Sequence, residues 1–406
     1  MNYSKILKGI LEIGEEMVEC GAENYRVEEG LYRMCQAYDF TRVNVFVIPS
    51  NIQITVETKE GDFITQIRQI ESSEFNFDRL DYLNNLCRYV SEHAPDEIVI
   101  KEKFTEVMNR PKQPGYVRLL AGVLGGTGFA VFFGSTFFDA LVAVIVSSMI
   151  VIVGDWLGKH EKNLFLYNCI LAFLSEVIIL GANRLGIGVR PDCTMIGIVM
   201  LLISGLGIVN GIRELMQRDF LSGTLNIMNS VLGAMGIAIG IAGAMLLFKD
   251  HGALNFIVAH SEIVQLISCT IACVGFAMWF QVRYRQVVYS GIGAFISWAI
   301  YLFVYNINES NFFATMISAL FVFLYAYITS RINKAPSTIF LTASVFPLVP
   351  GPNLYYMMSD LVDGEIAHTT YQFAVLMETC FAIALGFIFM DFILRFYKKA
   401  RAGELF

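Results

Sequence analysis

The last 290 or so residues carry what reads as one five-helix membrane unit written twice, and few features restrict a fold more. Gly128–Phe133 reads GFAVFF, and 147 positions later Gly275–Phe280 reads GFAMWF. At an offset of 146, Gly205–Asp219 (GLGIVNGIRELMQRD) lies over Gly351–Glu365 (GPNLYYMMSDLVDGE). That alignment matches Gly with Gly, Ile208 with Leu354, Glu214 with Asp360 and Asp219 with Glu365, and it continues to Asn226 over Gln372 and Gly240 over Gly386. An odd number of spans per unit makes the second copy enter the bilayer from the opposite side, an arrangement characteristic of secondary transporters.

Composition agrees with a membrane chain. Hydrophobic residues make up 55% of it, and many apolar runs reach the ~18–20 residues that cross a bilayer core. The net charge of −7 belongs to one end: residues 1–112 hold 13 Lys/Arg against 20 Asp/Glu, whereas residues 113–406 hold 16 of each. An acidic soluble segment therefore precedes a neutral membrane segment. The opening MNYSKILKGILEIGEE lacks a basic flank and a continuous apolar stretch, so no signal peptide is read and the N-terminus is expected in the cytoplasm. Eight scattered cysteines with no CxxC pair imply neither a disulfide framework nor a metal site.

The expected fold class is a polytopic α-helical membrane protein of about ten helices in two inverted five-helix repeats, preceded by a small cytoplasmic α+β domain. The domain boundaries are 1–112, 116–250 and 258–397. In the first of these, Ile6, Leu7, Ile10, Leu11, Met17 and Val18 keep helical spacing up to Gly21, and a second helix follows over 23–38. The β-branched runs 43–47, 52–56 and 63–70, punctuated by Pro49-Ser50-Asn51 and Gly61-Asp62, predict an antiparallel meander. Helices over 77–93 and 96–109 complete the domain. Ten spans centred near residues 125, 146, 172, 203, 236, 270, 295, 320, 348 and 383 place thirteen basic residues on the inner side and three outside. That bias predicts a multi-pass protein of the cytoplasmic (inner) membrane with both termini cytoplasmic.

The candidate transport residues lie where corresponding spans break. Ser204-Gly205-Leu206-Gly207 with Asn210-Gly211 interrupts the fourth span, and Pro347 through Pro350-Gly351-Pro352-Asn353 interrupts the ninth. Pro removes a backbone donor and Gly relaxes φ, which leaves helix ends and their partial charges inside the bilayer, suited to a substrate carboxylate. Ser204, Gly205, Asn210, Asn226, Pro350, Gly351, Asn353 and Gln372 are accordingly the substrate-binding candidates, with Asn229, Ser230 and Thr379 placed to line the same cavity. Asp139, Glu176 and Glu378 are ionisable groups within spans, where a charge costs at least ~2.5–3.5 kcal/mol, and are the proton-coupling candidates. Kinks and interhelical hydrogen bonds would explain the same residues structurally. Gly122/Gly126 and Gly236/Gly240 have the small-xxx-small spacing of helix packing. No catalytic constellation, metal ligand set, cofactor loop or nucleic-acid motif is recognisable.

At these residues the chain resembles the threonine/serine exporter family over nearly its whole length. The resemblance is carried by GAENYRVEEG at 21–30, VNVFVIPSNIQITV at 43–56 and VPG at 349–351. Glu23, Tyr25, Arg26 and Glu28 match the family pattern, whereas Ser204 stands where the family often has Pro. The halves, separate subunits in some relatives, are fused here. The resemblance implies proton-driven export of a small amino acid, or of a dicarboxylate such as succinate in two-subunit relatives. Its partners would be the small-molecule substrate, protons and the lipid bilayer, and a homo-oligomer is compatible with it. A membrane-embedded enzyme and a passive channel are the readings from other classes.

Overall fold

The computed structural model describes residues 3–70, 75–111, 113–203, 205–216, 218–248, 260–362 and 364–402. The chain divides into two compact units. The first comprises Met1–Gln113 with two later segments, Phe280–Arg283 and Ser330–Ile339.

Its elements are α1 (Tyr3–Glu19), α2 (Asn24–Gln36), β1 (Arg42–Ile48), β2 (Asn51–Glu57), β3 (Phe63–Gln69), α3 (Phe77–His93) and α4 (Glu97–Met108). The strands form an antiparallel sheet in the order β1-β2-β3, with Val47 opposite Ile52 and Ile54 opposite Gln66. On β2, Ile52, Ile54 and Val56 are fully buried and alternate with less buried polar residues, the period-2 pattern of a sheet with one covered face. Ile6, Leu7, Ile10 and Leu11 of α1 and Leu31 and Met34 of α2 fill the core. Gly21 ends the first helical run at φ +88°, a left-handed conformation that an added side chain would strain. Asn76 caps α3 by accepting from the Arg79 amide at 3.0 Å, and Asp96 caps α4 by accepting from the Val99 amide at 3.0 Å. The two later segments join by backbone: the Phe77 and Asp78 amides donate to the carbonyls of Phe280 and Gln281, each at 3.0 Å. The rings of Phe75, Phe77 and Phe280 cluster beside them.

The described elements of the second unit are all helical: α5 (Gly115–Phe132), α6 (Phe137–Leu157), α7 (Leu164–Arg184), α8 (Pro191–Leu202), α9 (Gly205–Met216), α10 (Phe220–Phe248), α11 (Glu262–Trp279), α12 (Tyr284–Asn308), α13 (Asn311–Asn333), α14 (Ser337–Val345), a 3₁₀ turn at Phe346–Leu348, α15 (Gly351–Val362) and α16 (Ile366–Ala402). The last turns of α13 and the first turn of α14 fall in the first unit. Among the described residues eight helices are long and apolar enough to span a membrane, which makes this a multi-pass membrane protein. Counting the bent pair α8 and α9 as one span raises the number to nine, one fewer than expected. α8 and α9 bend by 54°, and Ser337–Leu348 is a shorter apolar helix followed by α15.

Glycines set the closest helix contacts, and the contacts come in matched sets. A Cβ on Gly240 of α10 would lie 2.3 Å from the Cys169 carbonyl oxygen, 2.9 Å from the Phe173 nitrogen and 3.0 Å from the Ala172 Cβ, all on α7. A Cβ on Gly386 of α16 would meet the Met316 carbonyl oxygen at 2.6 Å, the Ala319 Cβ at 2.9 Å and the Leu320 nitrogen at 3.0 Å on α13, and each of these partners lies 147 positions after its counterpart. Between α5 and α11 the matching is reciprocal. Gly128 lies against Ala272, and Gly275 lies against Gly125, again 147 apart in both directions. Phe129 and Phe276, themselves 147 apart, meet edge to face at 5.5 Å. Because Gly122 meets Trp279 while Gly128 meets Ala272, the two helices run antiparallel.

Candidate functional site

Both breaks have the same backbone form. Ile203, which ends α8, is extended at φ −78°, ψ 130°; Val349, 146 positions later and ahead of α15, is extended at φ −68°, ψ 127°. Neither torsion pair continues a helix. Helical hydrogen bonding stops at the Ile203 amide, which donates to Val199, and at the Val349 amide, which donates to Phe346. Pro350 cannot donate at all. Ser204 lies outside the described residues. The 54° bend between α8 and α9 occurs with Ser rather than Pro at that position.

Around these breaks the helices gather polar side chains. α15 packs on α8, α10 and α16, and α9 packs on α10 and α16. From α10, the Asn226 amide donates to Glu214 of α9 at 2.7 Å. From α15, the Asn353 amide donates to Gln372 of α16 at 3.1 Å. Asn226 and Gln372 are repeat equivalents, so in both halves the helix after the break is tied to the next one by a side-chain amide. Glu214 is 5% exposed, and Asp360, its counterpart, is 3% exposed with His368 Nδ1 at 3.9 Å. Gly205 opens α9 and Asn210 is half-buried one turn later. Pro350 and Gly351 are buried, and a Cβ on Gly351 would lie 2.2 Å from the Met200 sulfur of α8. Ser230 donates to the Asn226 carbonyl, and Thr379 receives the Asn311 amide. Asn229 is exposed.

The three carboxylates expected to couple protons have three different settings. Glu176, on α7, is 2% exposed and lies within electrostatic range of Tyr355 of α15. Asp139 is buried at the start of α6, where it forms a capping box with Thr136 and accepts from the amides of Val189 (2.9 Å) and Arg190 (3.2 Å). Those contacts account for its burial as a structural fastening of the α7–α8 link. Glu378 lies on an exposed face of α16. Of the three, Glu176 is the buried one without a capping role.

Sequence reading passed over several members of this group. Asp192 follows Pro191 at the start of α8 and reads as an ordinary helix-start acid. Tyr355 and Tyr356 read as apolar span residues. Arg213, Glu214 and Asp360 are buried near the far ends of α9 and α15, and the 146-residue alignment of Glu214 with Asp360 was the available signal.

In the first unit, a cavity of about 520 Å³ between α2 and β1 is lined by Tyr25, Glu28, Glu29, Tyr32, Val43 and Asn44. Beside it Arg26 pairs with Glu23 at 2.8 Å and donates to Ser337. Burial alone would lower the Arg26 pKa, but Glu23 and Tyr25 outweigh it and hold the guanidinium above its ordinary value.

Comparison with known proteins covers almost the entire chain. Residues 8–248 match a family described as putative threonine/serine exporter, and residues 265–393 match one described as Threonine/Serine exporter, ThrE. A threonine/serine exporter of Corynebacterium glutamicum is 20% identical over 405 residues, which cover 95% of this chain and 82% of that protein. A probable threonine/serine exporter of Mycobacterium tuberculosis (strain ATCC 25618 / H37Rv) is 21% identical over 433 residues, covering all of this chain and 80% of the relative. No solved structure matches.

Proposed function

The chain belongs to the threonine/serine exporter family, and from that premise we propose that it exports small amino acids by alternating access, driven by protons. The carrying observation is the pair of matched breaks at Ile203 and Val349, each followed by a helix tied through an amide, Asn226 or Gln372, to its neighbour. Broken helices at equivalent positions of two repeats are where transporters place a midplane site.

The reciprocal α5–α11 contact supports an inverted repeat. A two-fold that exchanges Gly128·Ala272 with Gly275·Gly125 relates two antiparallel helices. Its axis therefore lies across the helices, in the membrane plane, and turns one repeat upside down relative to the other. Ten spans, counting both broken ones, put the two termini on the same side, and the basic residues assign that side to the cytoplasm. Residues 1–112 then form a cytoplasmic α+β domain.

In this reading substrate sits between the breaks, near Ser204, Gly205, Asn210, Pro350, Gly351 and Asn353, with Asn226 and Gln372 at the rim. Glu176 carries the proton. A carboxylate in a bilayer is costly when charged and stable when protonated, so exchange of one proton changes which state of the carrier is favoured. Counterflow in proteoliposomes with threonine, serine and succinate side by side, with and without an imposed pH gradient, tests the proposal. Gradient-stimulated accumulation of threonine or serine is expected. Flux without counterflow would mean a channel, and succinate alone being exchanged would move the chain to dicarboxylate export.

A further inference from the structure

α8 packs against both α7 and α15, and the three helices bring a carboxylate and two phenols together outside the residues assigned above. Tyr355 is 2% exposed and has Glu176 and Asp192 as its principal charged neighbours. Tyr356, its ring edge-on to that of Tyr355 at 5.6 Å, lies within electrostatic range of Cys193, Asp192 and Asp360. Asp192 is thus within electrostatic range of both tyrosines, and Glu176 of Tyr355. Arg190 and Asp139 are near Cys193 at the start of α8.

Neither phenol oxygen finds a hydrogen-bond partner among the described residues, although both atoms are buried. A buried hydroxyl left without a partner is destabilising, and two adjacent ones within electrostatic range of the same carboxylate mark a place where a further group can bind. The surroundings specify the chemistry of that group. Carboxylates repel a second anion, and a phenol oxygen accepts a hydrogen bond as readily as it donates one. Aromatic faces beside a carboxylate favour a cation. An alkylammonium has three donors and no acceptor, which suits Asp192 and the two phenol oxygens together. One turn of α15, about 6 Å, separates Tyr355 from Gly351 at the positive end of that helix. A small zwitterion spans such a distance with its ammonium at the tyrosines and its carboxylate toward the break.

We propose that Asp192, Tyr355 and Tyr356 form the ammonium subsite of the transported amino acid. This rests on the amino-acid export reading and adds the group that distinguishes an amino acid from a hydroxy acid or a dicarboxylate. Glu176, reached through Tyr355, is left for the proton.

The test uses the full-length protein in proteoliposomes loaded with threonine, with labelled threonine counterflow as the readout. The competing probes are threonine, 2,3-dihydroxybutyrate, which replaces the ammonium by a hydroxyl, and threonine amide, which lacks the carboxylate. Wild type is expected to be inhibited by threonine and at least roughly 10-fold less well by 2,3-dihydroxybutyrate. Asp192→Asn and Tyr356→Phe should weaken threonine by about 10-fold and erase its advantage over 2,3-dihydroxybutyrate, with the carboxylate-less amide weakened in parallel. Tyr356→Phe keeps the ring, and equal melting temperatures establish that the variants fold. Counterflow of threonine with full discrimination retained in both variants overturns the subsite alone. A wild-type protein that exchanges no amino acid overturns the export reading and the subsite with it.

Discussion

The α5–α11 crossing gives the reciprocal geometry a direct energetic test through Gly128→Ala and Gly275→Ala. A Cβ at residue 128 would lie 2.9 Å from the nitrogen, Cα and Cβ of Ala272, and one at residue 275 would lie 2.5 Å from the Gly125 nitrogen and 2.8 Å from the Ala121 carbonyl oxygen. Ordinary contact begins at 3.4 Å. The helices must therefore part by ~0.5 Å at the first position and ~1 Å at the second, because backbone cannot turn aside as a side chain does. Overpacking of this kind costs about 1–3 kcal/mol, and the higher helix propensity of Ala returns up to about 1 kcal/mol. Net losses of roughly 0–3 kcal/mol follow, with Gly275 above Gly128 because its clash is the deeper one. The double variant separates the mechanisms: a parting large enough for residue 275 already admits the methyl at residue 128. Its loss should fall short of the sum of the single losses by about 0.5–2 kcal/mol. Equilibrium unfolding in mixed micelles measures all four corners of the cycle. Additivity within about 0.3–0.5 kcal/mol would show that the two glycines do not share one crossing, and would remove the two-fold from the argument.

Glu176→Gln should abolish pH-gradient-driven accumulation of threonine while counterflow persists, since the amide imitates the protonated carboxyl; wild-type accumulation would return Glu176 to a purely structural role. Asp139→Asn should lower stability by about 1–3 kcal/mol because one of its two acceptor oxygens, which serve Thr136 and the amides of Val189 and Arg190, becomes a donor, with threonine affinity unchanged in counterflow. Gly351→Ala must displace the Met200 side chain before it can touch any substrate. If that contact governs the outcome, Met200→Ala should restore the affinity lost in Gly351→Ala, whereas an unrestored loss would mean that the methyl meets substrate directly.

What could be read beforehand was whatever repeats along the chain. The β-branched alternation of 43–47 and 52–56 specifies one buried face, and the strands pair in that register because a one-residue slip would expose Ile52, Ile54 and Val56 together. The break before α15 was visible in Pro347, Pro350 and Gly351, since missing donors can be counted from residue types alone. Side-chain direction was not visible. A helix apolar all round carries no stripe to say which face meets protein, so Glu176 and Glu378 looked alike although one is buried and the other is exposed. Likewise the Phe280 and Gln281 carbonyls that receive the amides of Phe77 and Asp78 have no sequence signature, because any residue supplies a carbonyl. Tyr355 and Tyr356 were hidden for a related reason: a phenol counts as apolar in a hydropathy window, and its hydroxyl acquires meaning only when Asp192 is found beside it. The proposed subsite accordingly joins a helix-start acid, Asp192, to two amphipathic residues after a broken helix, and neither part stands out in a hydropathy window.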